Sequence, residues 1–220
     1  MSLTLYYHPL SSFCHKVLIA LYELDAAFEP RLVNLGDAAD RAALQALWPM
    51  TKFPVLSDQA RGRNVAESSV IIEYLDHYHA GAHKLLPGDW DAALDVRLWD
   101  RVFDNYVQVP LQAIVFDRIV GGGADLSAQR AMLSTAYQMI DERLATREWA
   151  GGEAFSMADC AAAPALFYAS TLVPFPAPAV HLAAYFERLM ARASVKRVLE
   201  EAKPYFSMYP FAENIPARFL

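Results

Sequence analysis

The stretch LTLYYHPLSSFCHKVLIALYEL, residues 3–24, joins a short β-type run to a helical pattern. Its first five residues are apolar, aromatic or β-branched, as in a strand. Apolar residues then recur at helical spacing, at Val17, Leu18, Leu21 and Leu24. The turn between them contains PLSSFCHK, residues 9–16, which supplies two hydroxyls, a thiol and an imidazole. The stretch therefore predicts a strand, a turn and a helix, with the chemically reactive side chains at the turn.

Five segments that follow continue this alternation. In chain order they are FEPRLVNL (28–35), DAADRAALQALW (37–48), FPVLSD (53–58), RNVAE (63–67) and SSVIIEYLDHYH (68–79). The first, third and fourth have strand-like composition, whereas the second and fifth place apolar residues on one helical face. Together with residues 3–24 they predict the order βαβαββα, which is a small α/β domain over residues 1–80.

The second half of the chain has a different pattern. From Trp90 onward it is mostly helical, interrupted by short Gly- or Pro-rich turns, which predicts an all-α domain over residues 90–220. Ser156 stands three residues before Asp159, and this capping-box spacing predicts a helix start. The apolar run over residues 160–175 contains prolines and is shorter than the about 20 residues of a membrane span, so we expect a buried helix.

Composition and charge argue against several classes of partner. The 220-residue chain is 55% hydrophobic and carries a formal net charge of −6 without a block of Lys or Arg, which argues against nucleic acid and against a membrane surface. The chain has two cysteines, Cys14 and Cys160, which lie far apart in sequence and suggest neither a zinc cluster nor a disulfide framework. The N-terminus lacks the basic residues of a signal peptide. We therefore expect a globular, cytoplasmic protein.

The cysteine of the first turn and the histidines form no reactive or metal-binding motif. Cys14 lies near a helix start, which favours a thiolate, but Ser11 stands where a C-x-x-C motif has its first cysteine. His15 is adjacent to Cys14, and neighbours on a helix do not face one another. His79 and His83 have helical spacing, but a glycine between them marks a helix end. We expect Cys14 to be buried and inert, and we expect no metal.

Four separated motifs carry a family resemblance that covers essentially the whole chain. They are PLSSFCHKVLIAL (9–21), WPMTKFPVL (48–56), ESSVIIEYL (67–75) and SMADCAAAPAL (156–166). With these motifs the chain resembles the cytosolic glutathione transferases. The resemblance implies a thioredoxin-like N-terminal domain that binds glutathione and an all-helical C-terminal domain that contributes a pocket for the electrophile. It also implies glutathione as the co-substrate and a homodimer.

The motifs KFPVL and ESS contain the predicted binding residues for the glutathione peptide. A proline in a strand is expected at an edge or a bend. By resemblance, Pro54 is cis, Phe53 contacts the cysteinyl part of glutathione with its backbone, and Lys52 supplies a cation or a backbone contact. Ser68 precedes an apolar helical pattern, which predicts an N-cap beside helix amides that favour an anion. By resemblance, Ser68 binds the carboxylate of the γ-glutamyl group and Glu67 faces its ammonium.

The turn with Ser11 and Ser12 is the predicted place of thiol activation. The glutathione thiol has a pKa of about 8.5, and a hydroxyl donor at a helix N-terminus stabilises the thiolate. By resemblance, Ser11 matches the catalytic serine of the theta and zeta classes, and Ser12 matches the reactive cysteine of the beta class. Tyr7, at the end of the first strand, matches the residue that the tyrosine classes use. Ser11 is the preferred candidate, with Ser12 and Tyr7 as alternatives.

The resemblance also implies an apolar electrophile pocket with Leu10 and Phe13 from the first turn and Tyr106 and Pro110 from the helical domain. The predicted function is conjugation of the glutathione thiolate to a small apolar electrophile, as in detoxification. Two alternatives stay open: a glutathione-dependent cis-trans isomerase similar to maleylacetoacetate isomerase, and a non-catalytic binding module with the same fold. A thiol reductase acting through Cys14 is a further interpretation.

Overall fold

The N-terminal part of the chain has the order βαβαββα that the sequence predicts. The computed structural model describes residues 2–79, 81 and 83–220. Within these, the N-terminal unit ends at Leu86. Its strands are β1 (Leu3–Tyr7), β2 (Glu29–Leu32), β3 (Val55–Asp58) and β4 (Arg63–Ala66). Its helices are α1 (Ser12–Glu23), α2 (Ala38–Leu47) and α3 (Ser68–Tyr78).

The strands form one mixed sheet in the order β2-β1-β3-β4. The strands β1 and β2 are parallel and are connected through α1, whereas β3 is antiparallel to both β1 and β4. Tyr6 is paired with Val55, so the carboxyl end of β1 lies beside the start of β3. Because α1 begins soon after β1 ends, this register brings the first turn close to the segment around Pro54.

Alternation along β1 determines which side chains face which helix. Tyr6 packs into a cluster with Leu44 of α2 and Val55 of β3. Leu3 and Leu5 alternate with Tyr6 and are buried, so they point to the opposite face. On the described residues, α1 and α3 pack against each other and α3 also contacts β3 and β4. The sheet of the N-terminal unit therefore has apolar side chains on both faces.

A buried carboxylate at the end of β3 connects the sheet to α3. Asp58 accepts hydrogen bonds from the Tyr74 hydroxyl at 2.9 Å and from Arg61 Nη1 at 3.3 Å, and His79 Nε2 lies 3.1 Å from it. Burial alone raises the pKa of Asp58, but the hydrogen bonds from Tyr74, His79 and Arg61 outweigh burial and lower it. His79, which has helical spacing to His83 in the sequence, thus has a structural partner.

The unit from Pro87 to Leu220 is helical, as predicted. Its helices are α4 (Trp90–Val102), α5 (Val109–Ile119), α6 (Ser127–Leu144), α7 (Met157–Ser170), α8 (Val180–Ala191) and α9 (Ala193–Ala202). A π-helical turn, Phe103–Gln108, joins α4 to α5. Among the helices described, none combines the length and the apolar character that a bilayer crossing requires.

Helix α7 is buried along its length and begins with the predicted capping box. Asp159 Oδ2 accepts hydrogen bonds from Ser156 N at 2.8 Å and from Ser156 Oγ at 2.9 Å. Its Oδ1 accepts from Ala150 N at 2.9 Å and from the Tyr185 hydroxyl at 2.5 Å. Pro164 lies inside the helix, which continues to Ser170. The predictions of a capping box and of a buried helix are both confirmed.

Candidate functional site

Ser11 is the N-cap of α1, with its backbone in an extended conformation. Its Oγ accepts a hydrogen bond from Cys14 N at 3.3 Å, and its own amide donates to the His8 carbonyl at 3.0 Å. Since the capping bond uses the hydroxyl oxygen as acceptor, the hydroxyl proton can still be donated. The side chain is half-buried. Ser11 therefore presents a hydroxyl donor at the positive end of a helix, which is the arrangement that stabilises an anion.

The two rival hydroxyls lie in different surroundings. Ser12 is the first residue of α1 and is buried. Tyr7 is the last residue of β1 and is half-buried. Its carbonyl accepts a hydrogen bond from Val33 N at 2.9 Å, as part of the parallel pairing with β2. Of these three hydroxyls, Ser11 is the one at an N-cap position.

Cys14 and His15 are buried and held in neutral forms. Burial raises the pKa of the Cys14 thiol to about 12, despite hydrogen bonds with Ser11 and the His8 backbone that lower it. Burial lowers the pKa of His15 to about 4, and its Nε2 lies 2.5 Å from the Pro9 carbonyl. The prediction that Cys14 is buried is confirmed. A thiol with a raised pKa is a poor nucleophile at neutral pH.

The segment before β3 contains the predicted peptide-binding residues. The Phe53–Pro54 bond is cis, as the resemblance implies. Pro54 is buried, Phe53 is half-buried and Lys52 is exposed. The Phe53 ring stacks on His8, with 5.7 Å between ring centroids and 17° between their planes. The contact joins the residue before the cis proline to the turn that carries Ser11.

The start of α3 differs from the prediction by one residue. Ser68 is not the N-cap but the first residue of the helix, and the N-cap position belongs to Glu67. The reason is the backbone of Glu67, whose φ of 68° turns the chain so sharply after β4 that the helix begins at once. A non-glycine residue in this region costs on the order of 1–3 kcal/mol, and such residues cluster at ligand sites. Glu67 is exposed, whereas Ser68 is buried.

Lys16 is a residue of this region that the sequence analysis did not single out. It lies in the buried part of α1, and its Nζ donates a hydrogen bond to Ser69 Oγ at 2.8 Å. A positive charge beside the first turn of α3 adds to the field of the helix N-terminus and favours a carboxylate there. The signal present in the sequence was the position of Lys16 directly before the apolar run Val17, Leu18 and Ile19, because a lysine buried with such residues requires a polar partner.

The four residues predicted for the electrophile lie in both units. Leu10 and Phe13 flank the two serines of the first turn and are half-buried. Tyr106 lies in the π-helical turn with 49% of its surface exposed, and Pro110 is a buried residue in the first turn of α5. Leu10 and Phe13 therefore supply apolar surface next to Ser11. Among residues 2–79, 81 and 83–220, no group of three or more His, Cys, Asp or Glu residues is suited to hold a metal ion.

Comparison with known proteins assigns both units to one family. The family model for the glutathione S-transferase N-terminal domain matches residues 5–83, and the model for the glutathione S-transferase C-terminal domain matches residues 107–193. A glutathione S-transferase from Silene vulgaris is 25% identical over 214 residues, which cover 90% of this chain and 97% of that protein.

Solved structures agree with the family models. A glutathione S-transferase from Methylobacterium radiotolerans, in complex with glutathione sulfonate, is 30% identical with a TM-score of 0.77, covering 89% of this chain and 93% of that one. A glutathione S-transferase from Methylobacillus flagellatus with GSH bound is 26% identical with a TM-score of 0.80, covering 90% and 98%. The two family models match in order along the chain, and these two solved glutathione S-transferases, at 30% and 26% identity, cover 89% and 90% of it. The chain therefore belongs to the glutathione S-transferase family.

Proposed function

We propose that this protein conjugates the thiolate of glutathione to a small apolar electrophile, with Ser11 as the residue that stabilises the thiolate. The observation that carries the proposal is the half-buried Ser11 hydroxyl at the N-cap of α1, whose oxygen accepts a hydrogen bond from Cys14 N at 3.3 Å and which stands as a donor at the positive end of the helix. The buried thiol of Cys14, with its raised pKa, argues against a protein-based nucleophile at this turn.

The expected energies agree with this role. Lowering the thiol pKa by two units requires about 2.7 kcal/mol of preferential thiolate binding. A hydrogen bond to a charged group contributes about 1.5–3 kcal/mol, and a helix N-terminus adds about 0.3–1 kcal/mol or more where it is partly buried. One hydroxyl donor at an N-cap is therefore sufficient, without a metal or a second activating group.

We further propose that the peptide of glutathione is bound by the segments before β3 and α3. Phe53, preceding the cis bond to Pro54, contacts the cysteinyl part, and Lys52 contributes a cation or a backbone contact. Ser68 binds the γ-glutamyl carboxylate at the start of α3, supported by the charge of Lys16, and Glu67 faces the ammonium. The left-handed backbone of Glu67 and its exposed side chain support this assignment.

The remaining parts of the proposal concern the electrophile and the assembly. Leu10, Phe13, Tyr106 and Pro110 contribute apolar surface for the electrophile. The protein acts in detoxification in the cytoplasm as a homodimer. The homodimer is supported by one exposed face of α4 on which apolar residues recur every four positions: Trp90 (69% exposed), Leu94 (51%) and Leu98 (56%).

The proposed function is tested by titrating glutathione bound to the wild-type protein and following thiolate absorbance against pH. The expected result is a thiol pKa of the bound peptide about two units below the free value of about 8.5. Turnover of a model apolar electrophile should then consume glutathione. Binding with an unchanged thiol pKa and no turnover would instead favour a non-catalytic module. Isomerisation of a maleylacetoacetate-type substrate without glutathione consumption would favour the isomerase.

Replacing Glu67 by glutamine tests the recognition of the glutathione ammonium. Glu67→Gln keeps the shape of the side chain and removes its charge, so we expect the KM for glutathione to rise about tenfold with kcat nearly unchanged, since the interaction is the same in ground and transition states. Steady-state kinetics at varied glutathione measures the effect. The matched control is Glu29→Gln on β2, which is also an exposed carboxylate of the same unit and should leave KM unchanged. Equal KM values for the two variants would contradict the role of Glu67.

A further inference from the structure

His8 occupies the position between β1 and α1 where two parts of the proposed glutathione site meet. Its ring is stacked on the ring of Phe53, 5.7 Å apart and inclined by 17°. Phe53 directly precedes the cis proline, while His8 lies three residues before Ser11. Both rings are half-buried, so the stack is shielded from solvent on part of its surface. A single side chain thus connects segments that are 45 residues apart in sequence.

The same residue also holds the turn itself. Leu10 N donates a hydrogen bond to His8 Nδ1 at 3.2 Å, and Ser11 N donates to the His8 carbonyl at 3.0 Å. The first bond has the pattern of an Asx turn, in which a side-chain acceptor receives the amide two residues later. Because Nδ1 is the acceptor, the ring is neutral with its proton on Nε2. Burial lowers the pKa of His8 and so favours this neutral form.

We propose that His8 is a positioning residue that sets the Ser11 hydroxyl relative to Phe53 and thereby aligns the thiol-activating donor with the peptide-binding backbone. The inference rests on the proposed glutathione chemistry. The two contacts of His8 have separable effects. The acceptor Nδ1 determines the conformation of Leu10 and Ser11, and therefore thiol activation. The stack determines the placement of Phe53, and therefore the affinity for glutathione.

Two substitutions separate these contacts. His8→Asn keeps a side-chain acceptor for Leu10 N in Asx-turn geometry but removes the aromatic stack. His8→Phe keeps the stack and removes the acceptor. For His8→Asn we expect the KM for glutathione to rise about fivefold, with the bound thiol pKa close to wild type. For His8→Phe we expect KM to stay within about twofold, while the bound thiol pKa rises by about one unit and kcat falls about tenfold.

The measurements are steady-state kinetics and thiolate absorbance titration, with the wild type and His77→Asn measured in parallel. His77 is an exposed histidine in contact with Tyr78 at the end of α3, so its replacement controls for loss of a histidine–aromatic contact in the same unit. It should leave KM and the thiol pKa unchanged. Unfolding midpoints of all variants are recorded. A purely structural role for His8 would lower stability in both variants, without a change in KM confined to His8→Asn and a change in thiol pKa confined to His8→Phe.

The outcomes distinguish this inference from the proposed function. A wild type that leaves the thiol pKa of glutathione unchanged contradicts the proposed function, and the role of His8 is then excluded with it. A wild type that lowers the thiol pKa, combined with His8 variants that match it in KM and thiol pKa, overturns only the role of His8. That role is also overturned if His8→Asn and His8→Phe change both quantities in parallel. The inference is supported if His8→Asn raises KM with little change in the thiol pKa and His8→Phe raises the thiol pKa with little change in KM.

Discussion

Replacing Ser11 by alanine is expected to lower kcat/KM for conjugation by about 100- to 1,000-fold. This is the usual loss when an enzyme loses one preorganised hydrogen-bond donor to an anion, here the glutathione thiolate. The thiol pKa of bound glutathione should return towards about 8.5, because the hydroxyl that stabilises the thiolate is gone. The KM for glutathione should change little, since the peptide contacts lie on other segments. Thiolate absorbance against pH and steady-state kinetics measure the two effects.

A second variant separates catalysis from helix capping. Ser11 is the N-cap of α1, so Ser11→Ala also removes the acceptor for Cys14 N and costs about 1 kcal/mol of stability. Ser11→Asp keeps an excellent capping acceptor but has no proton to donate, and its charge repels a thiolate. It should therefore be as stable as the wild type and at least as inactive as Ser11→Ala. A stable and active Ser11→Asp protein would refute the assignment.

Three further variants test the rival groups at the same turn. Ser12→Ala, Tyr7→Phe and Cys14→Ala should each retain activity within about fivefold, on the reasoning that only Ser11 stands at the N-cap. A large loss in Tyr7→Phe with an active Ser11→Ala would transfer thiol activation to Tyr7. Loss of activity in Cys14→Ala alone would favour a thiol reductase, which the burial of this thiol argues against.

Among the substitutions described, replacing Asp159 by alanine should lower the free energy of unfolding the most, by about 3–5 kcal/mol. Its carboxylate accepts four hydrogen bonds, from Ser156 N, Ser156 Oγ, Ala150 N and the Tyr185 hydroxyl, and it is completely buried. Removing it leaves these donors without an acceptor inside the helical unit. Urea unfolding followed by far-ultraviolet circular dichroism measures the loss.

The matched control for this substitution is Asp89→Ala. Asp89 also caps the start of a helix with its carboxylate, as the N-cap residue of α4, but it is exposed and accepts a cap bond from Ala92 N at 2.9 Å. We expect a loss of about 1 kcal/mol, the usual value of an exposed cap. If the two substitutions cost the same, the buried hydrogen bonds of Asp159 do not hold the helical unit together, and the contribution of this network is smaller than its geometry indicates.

Much of the fold followed from local patterns in the chain. The alternation of strand and helix over residues 3–79 and the start of α7 at the Ser156–Asp159 box depend on residues close in sequence, and the structure confirms both. Prediction was less accurate at the start of α3. Ser68 has the chemistry of an N-cap, but the positive φ of Glu67 moved the helix boundary. No propensity of glutamate indicates a left-handed backbone, because that conformation is imposed by the surrounding fold.

The sequence by itself determined the order of elements, the hydroxyl-rich turn before α1, and the segments that face glutathione in the proposed function, because periodicity, caps and turn residues act within a few positions. Only the tertiary structure decided what lies beside them. The pairing of β1 with β3 brings His8 against Phe53, and the packing of α1 on α3 brings Lys16 to Ser69. These contacts join residues about 50 positions apart, and no local pattern encodes the register and packing that create them.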